Sequence, residues 1–349
     1  MERAGHKRRW LWGLAALPVM LLLGTLGYTA WVLYDPVTRM PPAEALPLTL
    51  SAGARDKLLD LYSRNPDKRT DAAYYAGQLA SDAPEVGARL APFLIGLLAD
   101  CDSPVRPRPA FTLAYARSLW APPDVVMRNA YFFCNPPRRP DAAAARGLAS
   151  IGKPAIGPLT RVLHESKRTV ARHSAVRALG CIDDPRAREA LLAALKDPAW
   201  EVRFGAIEAI QDSLGTCDDG IEDFRVEAVA GILGAARDDS MDVRAIAARV
   251  LNDEYCPKVR AALLALLRDP EPTVRKAAIR TLGDQGACGA ELVKALRDPD
   301  AGVRKAAEWQ LTQTRKAWAV KALQDALKDN DAIVREMAAA AMKKLDESK

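Results

Sequence analysis

A nine-residue pattern, Val-Arg-x-x-Ala-x-x-x-Leu, returns along the chain and leaves few folds open. It reads VRFGAIEAI at 202–210, VRAIAARVL at 243–251, VRKAAIRTL at 274–282, VRKAAEWQL at 303–311 and VREMAAAAM at 334–342, with a weaker copy, ARHSAVRAL, from Ala171. The starts at 171, 202, 243, 274, 303 and 334 are 31, 41, 31, 29 and 31 residues apart, and the long gap holds an insertion at 215–224. Looser copies begin near Asp71, Phe111 and Ala143. Residues at i, i+4 and i+8 share one side of a helix. Between the copies lies a second apolar-periodic stretch, as in REALLAALKD, VRAALLALLRD, GAELVKALRD and AVKALQDALKD. Each repeat therefore reads as a pair of helices. One pair cannot bury its apolar face alone, so neighbours must stack into a shared core.

Composition agrees with close-packed helices. Hydrophobic residues make up 49% of the chain but aromatics only 6%, whereas an α/β enzyme packs its core with larger β-branched and aromatic side chains. Lys196-Asp197-Pro198, Arg268-Asp269-Pro270 and Arg297-Asp298-Pro299 each set a cation in a last helical turn and then a breaker. The cation complements the helix dipole there, and proline suits the start of the next segment.

With these features the chain resembles the HEAT-repeat family, specifically the short HEAT-like repeats also found in phycobilin lyases. The resemblance is strong over residues 141–349 and degraded over 71–140. It implies an all-α fold, an α-solenoid of roughly eight or nine two-helix repeats. First helices are expected outside, with second helices lining a concave face where a partner would lie. The resemblance also implies that the arginine after each anchor (Arg172, Arg203, Arg244, Arg275, Arg304 and Arg335) ties neighbouring repeats together. For function it is nearly silent, because one fold hosts many.

The N-terminus carries a different signal. Residues 10–34, WLWGLAALPVMLLLGTLGYTAWVLY, run 25 residues without a charge. As a helix they would span roughly 37 Å, enough for a hydrocarbon core of about 30 Å. Trp10 and Trp12 at one end, and Tyr28, Trp31 and Tyr34 at the other, resemble interfacial aromatic belts. Pro18 lies mid-span, where membrane helices tolerate it. The run is too long for a cleavable signal peptide and ends in no small-x-small site. Lys7, Arg8 and Arg9 precede it, so the tail 1–9 should stay cytoplasmic and the remainder should be outside. Residues 35–70 read as a linker and entry segment, of which the proline-rich 35–50 should lift the folded part off the bilayer. Degenerate repeats follow over 71–140 and regular ones over 141–349. The expected location is a bacterial inner membrane, single-pass, with the repeats periplasmic.

Half of the +6 net charge sits in residues 1–9, as Arg3, Lys7, Arg8 and Arg9 against Glu2. The rest alternates in sign along the helices, a solvated pattern and not a nucleic-acid footprint. Six cysteines fall at matching phases of adjacent repeats: Cys101 with Cys134, Cys181 with Cys217, Cys256 with Cys288. In an oxidising compartment these would pair as three structural disulfides. Each would close a loop of roughly 32–36 residues, worth about 3–4 kcal/mol on the chain-entropy account. The alternative is six buried thiols acting as small hydrophobes.

Catalytic, cofactor-binding and metal-ligating residues are all expected to be absent. No G-x-S-x-G, phosphate-binding loop or H-E-x-x-H occurs. His164-Glu165 stands as a single pair, where the HEAT-repeat di-iron hydroxylases use several. Trp309 occupies a repeat position held elsewhere by Arg177, Glu208, Arg249 and Arg280. Trp309 and Trp318 are thus candidate interface residues, with packing against the terminal repeat as the alternative. The resulting expectation is a membrane-anchored, extracytoplasmic scaffold that binds a protein or peptide along its concave face. A cofactor-handling enzyme or enzyme subunit of the lyase type is the second reading.

Overall fold

The structure, a computed structural model, describes residues 39–47, 49–98, 140–215, 222–253, 256–286, 289–313 and 317–347. They form sixteen α-helices, three short 3-10 turns and no strand. In chain order the helices are α1 (Ala52–Leu59), α2 (Pro66–Asp82), α3 (Pro84–Leu97), α4 (Pro140–Ile151), α5 (Lys153–Glu165), α6 (Thr169–Gly180), α7 (Pro185–Ala194) and α8 (Trp200–Gly215). There follow α9 (Glu222–Ala235), α10 (Met241–Val250), α11 (Pro257–Leu266), α12 (Pro272–Gln285), α13 (Gly289–Ala295), α14 (Ala301–Gln313), α15 (Ala317–Ala326) and α16 (Ala332–Glu347). From α2 onward they follow one another as seven first-and-second helix units, with α16 closing the series.

The helix boundaries follow local chemistry. Proline, whose missing N–H costs nothing in a first turn, opens α2, α3, α7, α11 and α12. Side-chain oxygens cap two of these starts: Asn65 Oδ1 accepts from the Asp67 amide at 2.8 Å, and Asp184 Oδ1 from the Arg186 amide at 3.0 Å.

The recurring stripe is the core. The anchors Ala171, Val202, Val243, Val274, Val303 and Val334 and the alanines four residues on are all 0% exposed, and Leu179, Ile210, Leu251, Leu282 and Leu311 are at most 1% exposed. Leu191, Ile232, Leu263, Leu292 and Leu323 meet them from the second helices, also wholly buried. One apolar cluster runs from Leu46 to Leu282, and a second from Ile279 to Leu345. They meet at α12–α14, where Glu308, Gln310 and Thr312 are buried among the alanines. Gln310 Nε2 donates to the Arg280 carbonyl at 2.7 Å, which satisfies the polar side chain inside the stack.

Two findings correct the expectations. The first concerns layers. Each first helix (α6, α8, α10, α12, α14, α16) packs along the first helix of the next repeat, whereas the second helices fan apart and several pairs barely touch. The more closely spaced row is the shorter arc, so first helices, not second helices, line the concave side. Small residues permit the approach: a Cβ on Gly180 would lie 2.6 Å from that of Ala209.

The second concerns residues 35–70, expected to be a linker and entry segment with 35–50 as a spacer. Its described part is docked on α2 and α3. Leu46, Leu58 and Leu61 are fully buried, and Met40 packs on the backbone of Gly96. Apolar residues at 46, 58 and 61 supply the missing neighbour that would cover the first pair's outer face. The opposite end is treated differently: Glu336, Ala339 and Lys343 on the outward side of α16 are exposed. Internal first helices carry Val176, Ile207 and Ile279 at the position of Ala339, all buried. A polar outer face is what an end helix of such a stack requires.

Within 71–140 the described repeat is the pair α2–α3, and it stacks directly on α4–α5. At that junction two glycines face each other, and a Cβ added to Gly77 would sit 2.9 Å from the Cα of Gly147. Gly77→Ala is therefore expected to cost about 1–3 kcal/mol in denaturant unfolding. Gly234→Ala, where nothing lies within 4 Å of the new methyl, should instead add about 0.5–1 kcal/mol. Equal stability of Gly77→Ala and the parent would contradict this packing.

Candidate binding face

Two rows of side chains run the length of the stack. The first follows the turns between repeats. Arg172 donates from Nε and Nη2 to the Asp197 carboxylate at 2.8 and 3.0 Å, and from Nη1 to the Ser166 carbonyl at 2.9 Å. Arg203 repeats this with Asp238 (2.7 and 2.7 Å) and the Asp197 carbonyl (2.8 Å). Arg244 does so with Asp269 (2.7 and 2.9 Å) and the Asp238 carbonyl (2.8 Å). Arg275 pairs with Asp298 (2.8 and 2.8 Å) and the Asp269 carbonyl (2.8 Å). Each aspartate also accepts an amide two residues on, as Asp269 Oδ1 does from Glu271 at 2.9 Å. One guanidinium thus spans the turn before its repeat and the turn after it, in the bidentate geometry that arginine alone provides.

The row changes at its end. Arg304 and Arg335 keep the carbonyl contacts, to Asp298 at 2.8 Å and Asp329 at 2.7 Å. The Asp329 carboxylate is taken by Arg297 instead. All six arginines singled out in the sequence therefore lie in this row. Their aspartate partners, Asp197, Asp238, Asp269 and Asp298, were missed there. A signal existed, since 25 residues separate Arg172 from Asp197 and Arg244 from Asp269.

The second row lies on the concave, first-helix side, where Arg177, Glu208, Arg249, Arg280 and Trp309 occupy one repeat position. Its ion pairs are long: Arg249 Nη2 is 3.8 Å from Glu208 Oε1 across two repeats, and Arg280 Nε is 3.9 Å from Asp284 Oδ2. Burial in the groove pushes the Glu208 carboxyl up to about 7, against the pull of Arg177, and Asp212 adds to the rise. Burial and the Arg280 charge bring Arg249 down to about 10. Trp309 is 37% exposed, unusual for its size. The side chain of Trp318 lies outside the described residues.

Among the described residues no disulfide is formed; Cys181 lies at the C-cap of α6 and Cys256 at the N-cap of α11. Cys101, Cys134, Cys217 and Cys288 lie outside the described residues, and so do residues 10–34. No described helix is long and apolar enough to cross a membrane. No group of three His, Cys, Asp or Glu that could hold a metal ion occurs among the described residues.

Paired helices stacked in one direction, with a repeating buried stripe, define an α-solenoid. The family description of HEAT repeats matches residues 135–211, 229–288 and 289–349, more than half of the chain, and the protein belongs to that family. Among solved structures the chain is similar to importin beta, at 16% identity over 87% of this chain and 45% of that one, with a TM-score of 0.46. It is also similar to a chain of the Kap95p–RanGDP complex, at 14% identity over 85% and 45%, with a TM-score of 0.48. Human deoxyhypusine hydroxylase aligns at 21% identity over 77% and 99%, with a TM-score of 0.28. The chain spans less than half the length of the two importin-type proteins. No curated protein sequence matches it.

The turn row has a pH signature. Burial is the largest influence on Asp238 and Asp269 and raises both. The hydrogen bonds from Arg203 and Arg244, those from the Ser240 and Glu271 amides, and the flanking arginine charges together outweigh it and hold both carboxyls below their ordinary value. A depressed carboxyl stabilises the fold above its unfolded pKa of about 3.9, and that stability is lost as pH falls through the folded value. Melting temperature should therefore fall steeply below about pH 4. Asp269→Asn should be less stable at pH 7 and show a shallower acid slope; identical slopes would contradict the assignment.

Proposed function

We propose that this chain is a membrane-tethered scaffold that holds a protein or peptide partner against its row of first helices. Repeat solenoids are suited to this work, because stacking presents a long continuous surface on a rigid core. The observation that carries the reading is the concave row itself. The turn arginines are held in short bidentate bonds along the turns, whereas the first-helix row carries the Arg249–Glu208 and Arg280–Asp284 pairs at 3.8 and 3.9 Å and, one repeat beyond Arg280, Trp309 at 37% exposure. Tryptophan and arginine dominate binding energies where proteins meet.

The tether is residues 10–34, with the basic tail Arg3, Lys7, Arg8 and Arg9 cytoplasmic and the repeats outside. That location supports pairing Cys101 with Cys134, Cys181 with Cys217 and Cys256 with Cys288, because an oxidising compartment sustains disulfides. Cys181 and Cys256 both lie at helix ends beside inter-helix turns.

The test uses the full chain in its native membrane, with a photo-crosslinking residue at Arg280 or Trp309, and at Lys294 or Lys321 on the second helices as controls. Protein adducts are expected from the first two positions and not from the controls. Peptide mapping of the same preparation without reductant should find three cystine links. Equal adducts from both layers would remove the concave face as the binding surface, and six free thiols would contradict the location.

A further inference from the structure

The proline-rich stretch after the apolar run reads as a spacer, yet the folded body begins almost at once. Met40 is clamped on α3: a Cβ on Gly96 would meet the Met40 Cβ at 2.7 Å and its Cα at 2.8 Å. The Tyr62 hydroxyl donates to the Pro41 carbonyl, and Leu46 is 1% exposed. The tether from Tyr34 to Met40 is six residue steps, at most about 20 Å when fully extended. A body held so closely keeps the face around its tether at the membrane surface.

That face is built unlike the rest of the molecule. Leu59 ends α1 and Tyr62 ends the 3-10 turn Asp60–Tyr62, so the two are one helical turn apart on the same side. They are 43% and 37% exposed, two of the seven large apolar side chains exposed among the described residues. Arg39, Lys57, Arg64 and Lys68 are exposed in the same stretch, Lys68 3.7 Å from the Asp60 carboxylate and Lys57 over the Tyr75 ring. Over residues 39–69 six cations (with Arg55 and Arg69) face four carboxylates, Glu44, Asp56, Asp60 and Asp67. Partial burial, with Glu44 nearby, pushes the Tyr62 phenol up to about 12, which keeps it a neutral donor to Pro41. An aromatic ring, an aliphatic side chain and long basic side chains together suit the headgroup region, where rings anchor and lysine or arginine reaches phosphate.

We propose that the N-terminal end of the solenoid lies on the bilayer through Leu59 and Tyr62, with Arg39, Arg64 and Lys68 on phospholipid phosphates. This rests on the reading of residues 10–34 as the membrane anchor. The stack then rises from the surface with α16 at its far end, and the first-helix row extends away from the membrane. The partner meets that row from the aqueous side.

The experiment uses the full chain reconstituted in vesicles of phosphatidylethanolamine and phosphatidylglycerol, with a photo-crosslinking residue at Leu59, Arg64, Leu327 or Ile333. The last two are exposed apolar positions at the far end, 39% and 51% accessible. Lipid adducts are expected at 59 and 64 and not at 327 and 333. A chain that resists alkaline carbonate extraction yet gives no lipid adduct at 59 and 64, or gives equal adducts at all four, overturns the inference and leaves the anchor standing. A chain released by carbonate overturns the anchor, and this inference with it.

Discussion

Four successive turns of the stack, at Asp197, Asp238, Asp269 and Asp298, are gripped from two sides by arginines of successive repeats. Asp269 shows the logic: its carboxylate receives Arg244 from its own repeat, and its carbonyl receives Arg275 from the next. With both side chains about a tenth exposed or less, such a pair is costly to desolvate, so its net contribution to stability is small. What it does fix is register. An arginine shifted by one helical turn would leave a buried charge without its partner, a penalty of several kcal/mol. The alanine stripe supplies the apolar driving force but is too uniform to define one alignment, and the arginine–aspartate row discriminates among the alternatives.

The two rows differ in how their charges are paired. The turn row satisfies itself with short bonds. The first-helix row carries longer ion pairs, Arg249–Glu208 at 3.8 Å and Arg280–Asp284 at 3.9 Å, followed by Trp309. The α12–α16 end has its own apolar cluster, from Ile279 to Leu345, and buried polar side chains lie beside it: Gln310 bonds back to α12 and Glu308 pairs with Lys344 of α16 at 2.6 Å. Trp309 sits on that junction. The C-terminal repeats thus form a packing unit with an apolar cluster of its own, joined to the rest at α12 with directional hydrogen bonds alongside.

Residues that obey the period were readable in advance. Val202, Ala206 and Ile210 announce a buried stripe through spacing alone, and the arginine after each anchor is conspicuous because it repeats. The aspartate partners escaped because aspartate before proline has a sufficient local explanation in capping and chain reversal. The layer order was inverted for a different reason. Which row of helices lies inside depends on how closely backbones approach, and that is decided by absent side chains, Gly180 against Ala209 being the clearest case. The docking of Met40 and Leu46 was hidden by prolines, which signal extended chain whether or not it packs. Glu208 showed in the sequence only as a repeat-position equivalent of Trp309, because its raised carboxyl comes chiefly from burial in the stack, which spacing does not report.

The most direct test of this account is a double-mutant cycle on Arg244 and Asp269, using Arg244→Met, Asp269→Asn and the pair, followed by denaturant unfolding. If the turn row sets register through mutual compensation, each single change should cost about 3–5 kcal/mol and the double far less than their sum. Strict additivity would show that the two side chains act independently and that the stack is aligned by its apolar stripe alone.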